Sequence, residues 1–307
     1  MYDLAIIGGG PAGVAAGVYA SRKRLKTVFI TKDWNSQSTV SEGIENWIGT
    51  VKISGIDFAK ALESHLRAYA SDIVDIKTSE LATGLAKAAD GTFAITTDTA
   101  SYKAKTILIA TGSARRKLDV PGAAQFEHKG ITYCASCDGP LFAGQDVAVI
   151  GGGNAAFESA AQLLAYCKSV TLLNRSDEFR ADPVTVKKVL SNPKMHALLG
   201  AVPVEVKGGK FASALVYKEK ESDERKELAV TGIFVEIGSL PATGFAKDLV
   251  DIDATGHIVV DPRSQATSAK GIWAAGDSTD GLYHQNNIAA GDAVKALEDI
   301  YVYLHAK

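Results

Sequence analysis

Short, uninterrupted apolar runs alternate with segments of helical period along this chain, and several of the apolar runs end in glycine. The first stretch is "YDLAIIGGGPAGVAAGVYASR", whose run from Leu4 to Ile7 has no polar face. Such runs are the mark of strands buried on both sides, as in parallel sheets. Gly8-Gly9-Gly10-Pro11-Ala12-Gly13 comes next, and a helix is predicted to start near Pro11, which suits a first helical turn because it lacks an N–H. The next strand is "KTVFI", ending at Ile30. The pattern recurs in "QDVAVIGGGNAAFESAAQLLAYCKSVTLLNR". There the strand is Val147 to Ile150, the glycines are Gly151, Gly152 and Gly153, the helix runs to about Tyr166, and "SVTLLN" is the second strand.

Each copy therefore predicts one βαβ unit. The first glycine makes the tight turn and the next lets the backbone approach a pyrophosphate. The third position, Gly13 in one copy and Ala156 in the other, keeps helix and strand close. Phosphates then rest on unpaired N–H groups at a helix N-terminus. Two copies predict two nucleotide cofactors and an α/β protein with two doubly wound domains. "KTILIATGS", Lys105 to Ser113, and "AKGIWAAGDST", Ala269 to Thr279, are further buried strands that end in small residues. Asp277 at such an end can accept from a ribityl or ribose hydroxyl; taken alone such an Asp is more often a helix N-cap, which also fits because a helix follows. "FASALVY" and "LAVTGIFVEI" read as strands joined by a solvated hairpin tip, Lys218 to Glu227.

Composition narrows the function classes. The 307 residues are 46% hydrophobic and 22% charged, with a net charge of −2, so neither nucleic acid nor an anionic membrane is an expected partner. The basic cluster "SRKRLK", Ser21 to Lys26, reads as a solvated helix end. No apolar run is long enough to span a bilayer. The N-terminus lacks a charged segment followed by a cleavage site, so no signal peptide is expected. Three cysteines do not make a disulfide framework, and a reducing cytoplasm is the expected compartment.

Two of those cysteines, Cys134 and Cys137, lie in "TYCASCDGP". Zinc, a structural disulfide and a redox pair all use this spacing. Zinc wants about four ligands, whereas only His128 is near in sequence and no second CxxC exists, so no metal is expected. A structural disulfide conflicts with a reducing compartment. Thiol–disulfide exchange fits best, because the pair sits between two dinucleotide units. Cys167 reads as a buried core thiol.

Taken together, "GGGPAG", "ENWIG" (Glu45 to Gly49), "ATGS", "CASCDGPLFAGQDVAVIGGGNAA", "GIFVEIGSLP", "GIWAAGD" and "YHQNNIAAGDA" resemble the low-molecular-weight thioredoxin reductase family of flavoproteins along nearly the whole chain. "CDGPLF", "VEIGSLP" and "AAGDST" also resemble the flavoprotein subunit of alkyl hydroperoxide reductase. The resemblance implies an FAD domain split over 1–113 and 243–307, with an NAD(P)H domain, 114–242, inserted into it and rotating on hinges near 113–117 and 241–245. FAD contacts carry over to Gly8, Gly10, Ala12, Gly13, Gln37, Asn46, Thr111, Gly112, Asp277 and Gln285. Nicotinamide-nucleotide contacts fall on Gly151, Gly153, Asn154, Ala155, Arg175 and Arg180. His284 stands where the family commonly has Arg.

The resemblance also assigns Cys137 to the flavin side, Cys134 to the partner protein, and a proton-shuttling role to Asp138. It implies a homodimer and a thioredoxin-like substrate. The family's His-Arg-Arg at the ribose end of NADPH becomes Asn174-Arg175-Ser176, with the later Arg180 kept. Two guanidiniums can still clamp a 2′-phosphate, so NADPH is the expected donor over NADH. Other readings are an NADH-dependent reductase of a peroxiredoxin-system or glutaredoxin-like protein, a ferredoxin-dependent relative, and a nucleotide-sensing module without turnover.

Overall fold

The computed structural model describes residues 1–41 and 43–306. Up to the first crossing between units the elements are β1 (Tyr2–Ile7), α1 (Pro11–Arg22), β2 (Thr27–Thr31), α2 (Gly55–Ala70), β3 (Val74–Thr78), β4 (Ala82–Lys87), β5 (Phe93–Thr97), β6 (Ser101–Ile109) and β7 (Ser113–Arg115). The inserted segment adds α3 (Ala123–Phe126), β8 (Ile131–Thr132), α4 (Ala135–Asp138), β9 (Asp146–Ile150), α5 (Asn154–Leu163), β10 (Ser169–Leu173), α6 (Pro183–Leu190), β11 (Met195–Leu198), β12 (Ala201–Gly208), β13 (Ala212–Glu219), β14 (Arg225–Ala229) and β15 (Gly232–Val235). The chain returns through β16 (Ser239–Pro241) and finishes with β17 (Ile272–Ala274) and α7 (Asn286–His305). Met1–Ala114 with Leu240–Lys307 form one compact unit, and Arg115–Ser239 form the other.

In the first unit β1 lies between β2 and β6, with β3 outside β2 and β17 beside β6, all parallel; β5 and β4 extend the sheet antiparallel. The apolar run Leu4–Ile7 is fully or almost fully buried, as a strand covered on both faces requires. α1 and α7 pack on one face through small side chains: Ala12, Ala16 and Ala20 share a cluster with Ala289, Ala293, Ala296 and Ile300. Phe29 fills the space beneath them and is wholly buried, contributing about 2–3 kcal/mol of transfer energy.

The second unit has a parallel sheet of order β11-β10-β9-β15-β8 and a separate antiparallel sheet of order β12-β13-β14. Here the structure departs from two expectations. The stretch "LAVTGIFVEI" is not one strand: its start ends β14, and Gly232–Val235 form β15, which pairs with β9 in the other sheet. Gly232 makes the transfer possible, since an added Cβ would lie 2.7 Å from the Phe142 ring. The hairpin tip itself forms between β13 and β14, stitched by Lys218–Asp223 and Lys226–Glu219 ion pairs. The second helix stops at Leu163 instead of reaching Tyr166. The Cys167 N–H turns back to the Leu163 carbonyl at 2.8 Å, which buries Cys167 beside α5 and aims the chain into β10.

Candidate functional site

The first glycine turn divides its glycines between packing and open space. An added Cβ at Gly8 would lie 2.1 Å from the Ala110 carbonyl oxygen, and one at Gly13 would lie 1.9 Å from the Gly8 oxygen. Gly8 also holds φ at +125°, which a side chain disfavours. Gly10 differs: its nearest neighbour would be Ser36 Cβ at 3.9 Å. Gly10 is also the N-cap of α1, and no side chain caps the helix and no acid lies in its first turn. Free N–H groups above an open glycine form a cradle for a pyrophosphate.

The first unit also links the other residues expected to hold a dinucleotide through hydrogen bonds. Gln37 Nε2 donates to Asp277 Oδ2 at 3.0 Å and to Ser113 Oγ at 3.2 Å. Asn46 Nδ2 donates to Gln285 Oε1 at 3.1 Å, and Asn287 Nδ2 donates to the Asn46 carbonyl at 2.7 Å. Asp277 is not a helix cap, because the N-cap of α7 is Gln285. Thr111 Oγ1 donates to the Ala242 carbonyl, and the Ala242 N–H donates to the Gly112 carbonyl. His284 stacks on His257 with ring centroids 5.7 Å apart, and burial first of all lowers the His257 pKa. His284 Nε2 and Ser41 Oγ are buried without a hydrogen-bond partner among the described residues. Orphaned polar atoms and an open glycine cradle in the same unit fit a bound polar group such as FAD.

The second turn repeats the device within the other unit. Gly153 is the uncapped N-cap of α5, and an added Cβ there would meet nothing within 4 Å. Gly151 holds φ at +146° and lies against the Glu236 carbonyl. The loop after β10 is fixed to this turn. The Arg180 N–H donates to the Gly152 carbonyl at 2.8 Å, and the Asp182 N–H donates to Asn154 Oδ1 at 2.8 Å. Asn174 is buried against Gly152, and its Nδ2 donates to the carbonyls of Ser176 and Glu178. Asn174 thus shapes the loop, with both donors of its amide nitrogen engaged there. Arg175 and Arg180 are exposed and make no ion pair among the described residues. Ala155, also exposed, sits in the first turn of α5.

Cys134 and Cys137 are joined by a disulfide across the short helix α4. Cys134 is its N-cap, and its Sγ accepts the Cys137 N–H at 3.2 Å. Cys137 is exposed and Cys134 half-buried. Asp138 closes the helix, and its carboxylate accepts a hydrogen bond from Thr132 Oγ1. Cys167 is buried, its Sγ donates to the Phe142 carbonyl at 3.4 Å, and burial pushes its thiol pKa up, so it is not a nucleophile in the fold.

Sequence reasoning missed two polar groups. Thr132 belongs to a two-residue strand too short to carry a periodic signal, and only its place two residues before Cys134 could have flagged it. Glu236 follows the strand β15 and read as part of an apolar run. Its side chain is 5% exposed, accepts from Ser159 Oγ at 2.7 Å, and lies 3.6 Å from the Arg115 guanidinium. A single acid in "GIFVEIGS" was the available clue.

Comparison with known proteins agrees with this geometry. The family model for pyridine nucleotide-disulphide oxidoreductases matches residues 2–293. The alkyl hydroperoxide reductase F protein of Pseudomonas putida is 40% identical over 298 residues, 96% of this chain and 56% of the relative. The chain thus spans little more than half the length of the curated relatives it matches. A thioredoxin reductase from Streptococcus pyogenes is similar at TM-score 0.89 and 33% identity, covering 100% of this chain and 99% of the other. One from Giardia duodenalis reaches TM-score 0.92 at 31% identity, covering 99% and 98%. With two Rossmann-type units, one inserted in the other, and a disulfide in the second, the chain belongs to the pyridine nucleotide-disulphide oxidoreductases, a family that uses FAD and a nicotinamide nucleotide, in the low-molecular-weight class of thioredoxin reductases.

Proposed function

We propose that this protein carries electrons from NADPH to the disulfide of a thioredoxin-like protein, with Cys134 and Cys137 as the exchanging pair. FAD, when bound in the first unit, supplies the two-electron relay between the nucleotide and the disulfide. Reduction of the Cys134–Cys137 bond takes up two electrons and two protons. The hydrogen bond from the Cys137 N–H to Cys134 Sγ favours the thiolate at Cys134. Cys134 then attacks the partner's disulfide, forming a mixed disulfide and releasing one partner thiolate. Cys137 attacks Cys134 Sγ, the internal bond re-forms, and both electrons leave with the partner. Asp138, next to Cys137 and oriented by Thr132, exchanges the proton that accompanies each thiolate.

The observation that carries this reading is the capped disulfide, with an acid at the end of its helix, inside a unit built on a second dinucleotide turn. Likeness to thioredoxin reductases over the full length of both chains supports the acceptor. Arg175 and Arg180, unpaired on the loop that Asn174 shapes, support a 2′-phosphate. Steady-state reduction of a thioredoxin with each nucleotide tests it. NADPH should be preferred, and Arg175→Ala with Arg180→Ala should lower kcat/KM for NADPH by about tenfold each while sparing NADH. NADH preference unaffected by either change would refute the phosphate site.

A second reading has specific support. The 40% identity to an alkyl hydroperoxide reductase F protein favours an NADH-dependent reductase of a peroxiredoxin-system protein. The same assay, run with that acceptor and NADH, separates the two.

A further inference from the structure

Strand order locates the crevice of the second unit. From β9 the chain runs to β10 and β11 on one side, whereas β15 and β8 lie on the other. The topological switch point is between β9 and β15, and ligands of such sheets bind outside the carboxyl ends of the strands there. Gly151 follows β9 at that point, and Glu236 follows β15. The two are in contact: the Glu236 N–H donates to the Ile150 carbonyl at 2.8 Å, and the Glu236 carbonyl fills the space a Gly151 side chain would need. A dinucleotide whose pyrophosphate rests on Gly151–Gly153 and the N-terminus of α5 thus places its negative charge one side chain from a buried carboxyl.

The surroundings of that carboxyl pull its protonation in opposite directions. Its side chain is 5% exposed, and burial raises its pKa above the ordinary carboxylate value. Arg115 of β7 and the Ser159 hydroxyl of α5 oppose the rise, and Glu158 of α5 adds to it. Arg115 is a loose partner: the nearest nitrogen is 3.6 Å away and the side chain is 32% exposed. Arg116 lies against Gly238 instead. Incoming phosphate charge acts on the carboxyl twice, by direct repulsion in a low-dielectric site and by competing for Arg115. Both effects favour the neutral acid.

We infer that Glu236 takes up a proton from solvent when the nicotinamide nucleotide binds, so that nucleotide affinity in this protein is coupled to pH through a buried acid at the switch point. No bond is made or broken: the carboxylate gains H⁺ as the pyrophosphate arrives and returns it when the nucleotide leaves. Glu236 is a positioning residue in this scheme, acting through Arg115 and the glycine turn. The inference rests on the second unit being the nucleotide site.

Calorimetric titration of the flavin-loaded protein with ADP-ribose and 2′-phospho-ADP-ribose tests it without any redox step. Repeating it in buffers of different ionisation enthalpy counts the protons. The wild type should take up about one proton per nucleotide at the peak, with affinity falling up to tenfold per pH unit as pH rises through that window. Glu236→Gln should abolish this component; any titration of the 2′-phosphate itself stays and cancels between the proteins. Ser159→Ala, which removes a hydrogen bond that favours the ionised form, should move the window to higher pH, and this second variant guards against a folding defect in the first. Binding with no proton uptake, or uptake unchanged in Glu236→Gln, overturns the inference while leaving the nucleotide site standing. Failure of both nucleotides to bind overturns the nucleotide reading and the inference with it.

Discussion

Thr132 Oγ1 donates to the carboxylate of Asp138 and accepts the Cys134 N–H at 3.4 Å, so one buried hydroxyl holds the acid and the first cysteine in a common frame. Thr132→Val keeps the shape of the side chain and removes both bonds. A net hydrogen-bond contribution of about 0.5–1.5 kcal/mol translates into a roughly three- to tenfold fall in turnover. Asp138→Asn should cost more, about a hundredfold, because it removes the proposed proton carrier itself. Stopped-flow absorbance separates the steps: flavin reduction by the nucleotide should stay unchanged in both variants, and electron transfer to the disulfide should slow.

The two cysteines should give unequal variants. Cys137→Ser leaves Cys134 free to attack but unable to be released, so a covalent complex with an oxidised acceptor should accumulate on non-reducing gels. Cys134→Ser should form none. Iodoacetamide should label the reduced native protein at Cys134 and Cys137 and leave Cys167 unmodified, because that thiol is buried with a raised pKa. Equal trapping by both serine variants would contradict the assignment.

Glycines of the first turn should separate binding from stability. At Gly13 an added Cβ meets the Gly8 carbonyl at 1.9 Å, so Gly13→Ala should cost about 1–3 kcal/mol or more in unfolding. At Gly10 the space is open and φ is −78°, so alanine fits the free protein. Gly10→Ala should therefore keep the unfolding midpoint of the flavin-free protein and lose flavin, read as the 450 nm absorbance per chain (about 450 nm being the flavin band).

Glu236 makes the second unit's stability depend on pH. An acid whose folded pKa is raised above its unfolded value contributes stability that is complete below the unfolded value and lost as pH rises through the folded one. Burial raises Glu236 in this way, so the unit should melt at progressively lower temperature as pH climbs above the ordinary carboxylate range. Glu236→Gln should flatten that dependence and raise the midpoint at the alkaline end. Calorimetric scans across about pH 5 to pH 9 would show it, and identical slopes in the two proteins would refute it.

The βαβ units were legible because each apolar strand runs straight into its glycines, and the burial of Leu4–Ile7 and Val147–Ile150 follows that pattern residue by residue. The cysteine pair was legible for the same reason: its spacing is local. Tertiary effects escaped. "LAVTGIFVEI" is uniformly rich in strand formers, and nothing in its pattern reveals that β14 and β15 serve different sheets; that follows from the fit of Gly232 against Phe142. Asn174 read only as the residue standing where the family has His, yet its Nδ2 donates to two carbonyls of its own loop. Thr132 and Glu236 matter through partners six and seventy-seven residues away, distances at which a sequence gives no signal.

Packing of α1 against α7 has a consequence for synthesis on the ribosome. The apolar side of the first helix is covered by the last one, through Ala12, Ala16 and Ala20 against Ala289, Ala293 and Ala296. Translation delivers α7 long after α1, and residues 115–239 emerge in full between them. The inserted unit can thus reach its native contacts while the face of α1 stays bare until α7 arrives.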